Sequence, residues 1–280
     1  MKITVWGARG SIPVSGPDYI RYGGDTTCAC LETDAGDIVI LDAGSGLRAL
    51  GNTLLDKGHT TFHFVLTHAH WDHVLGFPFF KPLYHRDTTI YVHGCTFAQD
   101  SIRTFLRTVM QPPFFPVNLD DVHAQLSFDD ECGPEFAVAG LNCRSIPLSH
   151  PNYGYGFRLS EGDRSLGFLP DNELSYVHPG GKTFEEYVEF LSGADVLVHD
   201  AEYLPEEYER FSRGWGHSMY LDTVRLAVEA RVDRLVMWHL NQDRADDKVD
   251  EMAESARRAA DDAGSGVTCI MARTGLELKI

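Results

Sequence analysis

Three histidines and an aspartate, His68, His70, Asp72 and His73, fall within six consecutive positions of the run VLTHAHWDH, which begins at Val65. No other feature constrains the fold as strongly. Imidazole nitrogens and carboxylate oxygens are donors that borderline divalent ions such as zinc accept, and a strand ending in a turn can aim several at one point. Extended backbone sends His68 and His70 to one side, and the following turn can bring Asp72 and His73 to an adjacent second ion. Four donors are too few for two ions. More stand at the ends of other apolar runs: His150 closes CRSIPLSH, Asp171 closes SLGFLPD and His239 closes DRLVMWH. Histidines that only fill a core would not recur at strand ends, so the set reads as a metal site.

The runs between these positions indicate a layered α/β chain. KITVW, CACLET, DIVILDAG, TFHFVL, TIYVHG, LNCRSIPL, YGYGFRLS, SLGFLP, ADVLVHD and DRLVMWHL read as strands. Helical spacing appears in GLRALGNTLLDKG, in FAQDSIRTFLRTVM, and near Thr183 to Ser192, Ser218 to Ala230 and Ala245 to Asp262. HVLGFPFFKPLY should be a short helix or turn broken by Pro78 and Pro82, and QPPFFPVN an ordered apolar loop. Two halves of strands flanked by helices imply stacked sheets covered by helices. No linker interrupts them, so residues 1–280 are expected to form one domain.

Charge and cysteine usage narrow the partners. The net charge of −17 repels long polyanions, so long nucleic acids are not expected as partners. No apolar stretch has membrane-spanning length and the N-terminus shows no leader pattern, which makes the cytoplasm the default location and a membrane partner unexpected. Cys28, Cys30, Cys95, Cys132, Cys143 and Cys269 lack a paired spacing and suit reduced, buried thiols. Cys28 and Cys30 should share one strand face in the core.

The order H-x-H-x-D-H, His, Asp, His over nearly the whole chain resembles the metallo-β-lactamase superfamily. That resemblance implies an αββα sandwich, two mixed sheets flanked by helices, with a dinuclear centre on one edge. It assigns His68, His70 and His150 to one ion, Asp72, His73 and His239 to the other, and Asp171 to a bridge. Zinc is the expected metal, with manganese or iron as alternatives. ADVLVHDAEY with GWGHSMY is similar to the ribonuclease Z and PhnP-like phosphodiesterase branch, in which an acidic residue pairs with the histidine of an H-S segment. Those positions fall on Asp200 and His217, although ribonuclease Z more usually has Glu at the first. WGARGSIPV and RYGGDTTC also resemble the N-terminal loops of PhnP-like hydrolases, where Asn is more usual than Asp25. The resemblance implies a homodimer as well.

The expected activity is hydrolysis of small phosphodiesters, cyclic nucleotides first, by a metal-bridging hydroxide. Asp72 would orient the hydroxide or take its proton, and His217, supported by Asp200, would protonate the leaving oxygen. The alternatives are tRNA 3′-end processing in the manner of ribonuclease Z, acyl or lactone hydrolysis, and a non-catalytic metal-binding regulator. Against tRNA stand the acidic charge and the short segment between His150 and Asp171, where bacterial ribonuclease Z carries a tRNA-gripping insertion.

Other residues receive ordinary assignments. His59, His63, His85, His93, His123 and His178 have no partner at a useful spacing, and strand alternation turns His199 away from Asp200. Ser45 and Ser218 are expected as helix caps, with a phosphate cradle at DAGSG the lesser reading. Phe114 and Phe115 could stack on a base or only fill core.

Overall fold

The computed structural model describes residues 1–94, 101–129 and 133–280. Its first sheet contains β1 (Lys2–Gly7), β2 (Cys28–Glu32), β3 (Ile38–Leu41), β4 (Thr61–Val65), β5 (Thr89–His93) and β6 (Gln125–Asp129). The second contains β7 (Glu135–Val138), β8 (Leu141–Pro147), β9 (Tyr155–Glu161), β10 (Arg164–Leu169), β11 (Val196–Asp200), β12 (Arg234–Trp238) and β13 (Thr268–Met271). The final strand, β14 (Glu277–Lys279), returns to the first sheet beside β1. Strand order is β14-β1-β2-β3-β4-β5-β6 in one and β13-β12-β11-β10-β9-β8-β7 in the other. Each sheet is antiparallel in one half and parallel in the other, from β3 to β6 and from β10 to β13.

Alternation along the strands divides the core into three layers. Between the sheets, Leu31, Leu41 and Val65 meet Phe157, Phe168, Val198 and the fully buried Trp238. On the outer face of the first sheet, Ile40, Phe62 and Phe64 pack under α1 (Leu47–Asp56) and α3 (Ile102–Val109), with Phe77 and Phe80 filling the gap. Between β4 and that gap lies the one-turn α2 (Trp71–Val74), followed by short 3-10 turns at Phe77–Phe79 and Lys81–Tyr84. On the outer face of the second sheet, Leu197 and Met237 pack under α4 (Phe184–Leu191), α6 (Tyr220–Glu229) and α7 (Asp246–Asp262). The short α5 (Pro205–Glu207) leads into one π turn at Tyr208–Ser212. This is the expected αββα order, the metallo-β-lactamase fold, with two mixed sheets flanked by helices.

Several local expectations hold. Cys28 and Cys30 are buried together under α1, and QPPFFPVN is irregular. The helix expected near Thr183 to Ser192 is α4, and Thr183, not foreseen as a cap, caps it through a reciprocal box with Glu186. Cys95, Cys132 and the first residues of the expected helix FAQDSIRTFLRTVM lie outside the described residues; α3 itself begins after the Ser101 cap. No described helix is long and apolar enough to cross a membrane.

Two caps were misplaced. Ser45 does not cap α1; its hydroxyl accepts from the Thr26 amide at 2.9 Å and donates to Asp25 at 2.7 Å, stapling two loops together. Nor is DAGSG an open cradle, because the amides of Ala43, Gly44 and Ser45 donate to His73, Thr27 and Thr26. Ser218 precedes the first turn of α6 and instead donates to the Asn172 carbonyl while accepting from the Leu174 amide. Both hydroxyls serve tertiary ties, which sequence spacing along a single helix cannot show.

Candidate metal centre

Backbone geometry at the strand ends gathers the histidines and aspartates. β4 ends at Val65, and the extended backbone at His70 gives way to α2, so Asp72 and His73 turn back toward His68. His239 follows β12 in a left-handed conformation, φ 56°, and Asp42 follows β3 at φ 58°. Such backbone is rare for non-glycine residues and concentrates where the surroundings fix a side chain's direction. His150 leaves β8 and Asp171 leaves β10 at the same edge.

Seven of the expected residues converge there. Donor atoms of His68, His70, His150 and Asp171 lie within 4.8 Å of one another, as do those of Asp72, His73, Asp171 and His239. Asp171 stands in both groups. Its Oδ1 is 3.0 Å from His73 Nε2, and its Oδ2 is 3.3 Å from His239 Nε2 and 3.6 Å from His68 Nε2. His150 Nε2 approaches His70 Nδ1 at 3.1 Å, and Asp72 Oδ2 lies 3.2 Å from His239 Nε2.

On four of the five rings the outward-facing nitrogen has a partner that fixes the ring. His73 Nδ1 donates to Asp42 at 2.8 Å, His239 Nδ1 to Glu202 at 2.9 Å, and His150 Nδ1 to the Gly216 carbonyl at 2.9 Å. Thr67 Oγ1 stands 3.1 Å from His68 Nδ1. In each case Nε2 is left for the interior, the arrangement usual for ligating imidazoles. The Ser11 amide donates to Asp72 Oδ2 at 2.9 Å, so the N-terminal loop braces that carboxylate.

The donor set suits divalent cations. His68 Nε2, His73 Nε2 and Asp171 Oδ1 are buried without a hydrogen-bond partner, although such atoms cost about 1–3 kcal/mol each when left unsatisfied. Burial pushes His68 and His150 well below the ordinary histidine range, which favours the neutral, metal-ligating form. Burial disfavours a charged Asp171, yet His239 and His73 outweigh it and hold its pKa well below the usual carboxylate range. The carboxylates in turn drive His73 and His239 upward against burial.

His217 and Asp200 form a pair beside this cluster and make a third close group of donors with His239. His217 Nδ1 lies 2.6 Å from Asp200 Oδ2 and 3.5 Å from Glu202 Oε2, and its ring stacks on His239 at 4.3 Å. Burial lowers the His217 pKa, but Glu202 and Asp200 overcome it and raise the value to about 9. Burial pushes Asp200 up to about 6, with His217 opposing. With Nδ1 engaged, Nε2 is the nitrogen able to exchange a proton with a bound molecule.

His59, His63, His85, His93, His123 and His178 stand outside the donor groups among the described residues, although some have partners that sequence spacing did not show. His63 and His93 are not partnerless: their Nδ1 and Nε2 atoms meet at 3.2 Å across β4 and β5, and His93 Nδ1 lies 3.7 Å from Asp129. His178 bonds Glu173 at 2.8 Å. His199 packs away from the cluster against Asn172, as alternation requires. Asp42 and Glu202 were missed. Asp42 follows a strand, as Asp171 does, and Glu202 stands two residues beyond Asp200, a spacing that returns to the same side of an extended chain.

A model of the β-lactamase superfamily domain matches residues 38–240. The chain belongs to this superfamily. Membership and the clustered donors together make it a metal-dependent hydrolase. Among curated relatives, ribonuclease Z of Haloarcula marismortui is 24% identical over 324 aligned positions, covering 100% of this chain and 97% of the relative. Among solved structures, the metallo-β-lactamase-fold protein YhfI from Bacillus subtilis superposes with a TM-score of 0.71 at 17% identity, over 99% of this chain and 98% of that one. A diphosphatase of the PhnP family gives 0.69 at 20% identity, over 100% and 97%. At these identities the two structures bear on the fold alone.

Proposed function

We propose that residues 1–280 act as one unit, a two-metal phosphodiesterase for small substrates, with cyclic nucleotides its preferred class. The observation that carries this reading is the His217–Asp200 pair standing beside two donor groups that share Asp171. His68, His70, His150 and Asp171 would hold one ion, and Asp72, His73, Asp171 and His239 the other, zinc in the first instance. Two such ions supply a water of lowered pKa and neutralise charge on phosphoryl oxygens. Asp72, braced by the Ser11 amide, orients the attacking water or takes its proton at Oδ2. His217 donates from Nε2 to the departing oxygen, and Asp200 holds Nδ1 so that the ring presents that proton. A ribose alkoxide needs such a donor; an acyl hydrolase with a good leaving group does not.

The surroundings favour a small substrate. Trp71, within the histidine run, lines an apolar cavity of about 440 Å³ with Phe79 just downstream and Phe114 and Phe115 from the loop after α3. Trp71 is 76% exposed and Phe114 68%, which suits stacking against a base better than core filling. Between His150 and Asp171 the chain makes a short turn and the β9–β10 hairpin with Gly162 and Asp163 at its turn, which supports a small substrate over one gripped by an insertion there.

Ribonuclease Z activity is the second reading, favoured by the end-to-end alignment with the Haloarcula enzyme. The alignment runs over 324 positions against a chain of 280, so that relative carries stretches this chain lacks. Turnover of 2′,3′- and 3′,5′-cyclic nucleotides, bis-p-nitrophenyl phosphate, a lactone and precursor tRNA by protein of measured metal content separates the readings.

A further inference from the structure

We infer that Glu173 is a positioning residue that clamps the 212–217 loop against the metal centre, orienting His150 and placing His217 through one buried carboxylate. The inference rests on the two-metal reading above. Glu173 lies two residues beyond Asp171, is 1% exposed, and its own amide donates to the Ser149 carbonyl at 2.9 Å. Oε1 accepts from the Tyr208 hydroxyl at 2.5 Å and from the Gly214 amide at 2.7 Å. Oε2 accepts from His178 Nε2 at 2.8 Å and from the Gly216 amide at 2.7 Å. Four donors occupy the four lone-pair sites of a carboxylate. A side-chain amide has one oxygen and cannot serve them all.

The clamp leads straight to the site. Gly216 adopts φ 100°, and a Cβ there would lie 2.2 Å from His150 Nδ1 and 2.4 Å from Pro151 Cδ. Only glycine permits this approach, and the carbonyl of Gly216 uses it to accept from His150 Nδ1 at 2.9 Å. Glu173 therefore grips the amide of the same residue whose carbonyl fixes the His150 tautomer. The next residue is His217, held to Asp200 at 2.6 Å. A slipped loop would misdirect a metal donor and the proton donor together, whereas a tie of purely structural value would touch neither.

The test withdraws zinc from the loaded full-length protein with a graded chromophoric chelator, alongside turnover of a cyclic nucleotide and a nitrophenyl diester. In Glu173→Gln, either amide orientation sets an NH₂ against the Gly214 or the Gly216 N–H, neither of which can accept. One zinc equivalent should then weaken by roughly 10- to 100-fold, the usual worth of an outer-shell contact, while the second keeps its affinity. Cyclic-nucleotide turnover should fall further than nitrophenyl-diester turnover. Tyr208→Phe, which removes one donor and keeps the carboxylate, should weaken the same equivalent measurably, by roughly 2- to 10-fold. A folded Glu173→Gln with wild-type affinity for both equivalents overturns the inference. Should that variant fail to fold, unchanged affinities in Tyr208→Phe overturn it instead. Wild-type protein that takes up no zinc contradicts the two-metal reading itself, a different failure.

Discussion

At the scale of single residues, the chemistry depends on which nitrogen of each imidazole is engaged. His217 presents Nε2 because Asp200 holds Nδ1, so His217→Ala should keep both metals and lose roughly 10²- to 10⁴-fold in kcat on a cyclic nucleotide. A nitrophenolate leaves unaided and should suffer much less. Asp200→Asn should give a milder form of the same leaving-group dependence. Steady-state kinetics on the two substrates, with metal analysis, checks both variants; equal losses on both substrates would point to binding instead. Glu202 touches two rings, accepting from His239 Nδ1 at 2.9 Å and lying 3.5 Å from His217 Nδ1. Glu202→Ala should therefore reduce metal affinity by roughly 10- to 100-fold, read by chelator competition. The strand-end metal donors were legible in the sequence because each follows an apolar run. Glu202 and Asp42 were not recognised, since their partners are imidazoles far away in the chain and spacing shows no tertiary hydrogen bond.

Secondary elements show where pattern reading succeeds. Ten strands with apolar alternation or continuous apolar runs were expected and found, but β6, β7, β13 and β14 were not. These four are the outer strands of the two sheets. An edge strand pairs on one side, buries little and tolerates charge, so Glu277–Lys279 carries no readable period. Helix positions were legible from 3.6-residue spacing, whereas serine caps were overassigned because tertiary partners compete for the hydroxyl. Thr183 is a true cap in a complete box with Glu186, on a helix that packs on the outer face of the second sheet. Thr183→Ala should cost about 1 kcal/mol in urea unfolding and leave kcat unchanged. An activity loss without a stability loss would place α4 nearer the chemistry than its packing indicates.

Across the whole molecule, the sheets bring strand ends together while their cores supply rigidity. The centre leaves buried donors without partners, so metal binding and folding are coupled. Chelation should lower the melting temperature measured by calorimetry, by roughly 5 °C or more if each ion is held at a hundred times its Kd. An unchanged melting temperature would mean the donors do not hold ions in the native state. The proposed preference for small substrates belongs to this same scale, since a net charge of −17 repels a long polyanion and the β9–β10 hairpin turns within two residues. The most direct measurement is kcat/KM for 2′,3′- and 3′,5′-cyclic nucleotides and for precursor tRNA, on one preparation loaded with two metals at physiological salt. The expected result is turnover of cyclic nucleotides with no appreciable 3′ trimming of the tRNA. Robust tRNA trimming by protein inert toward every cyclic nucleotide would contradict it.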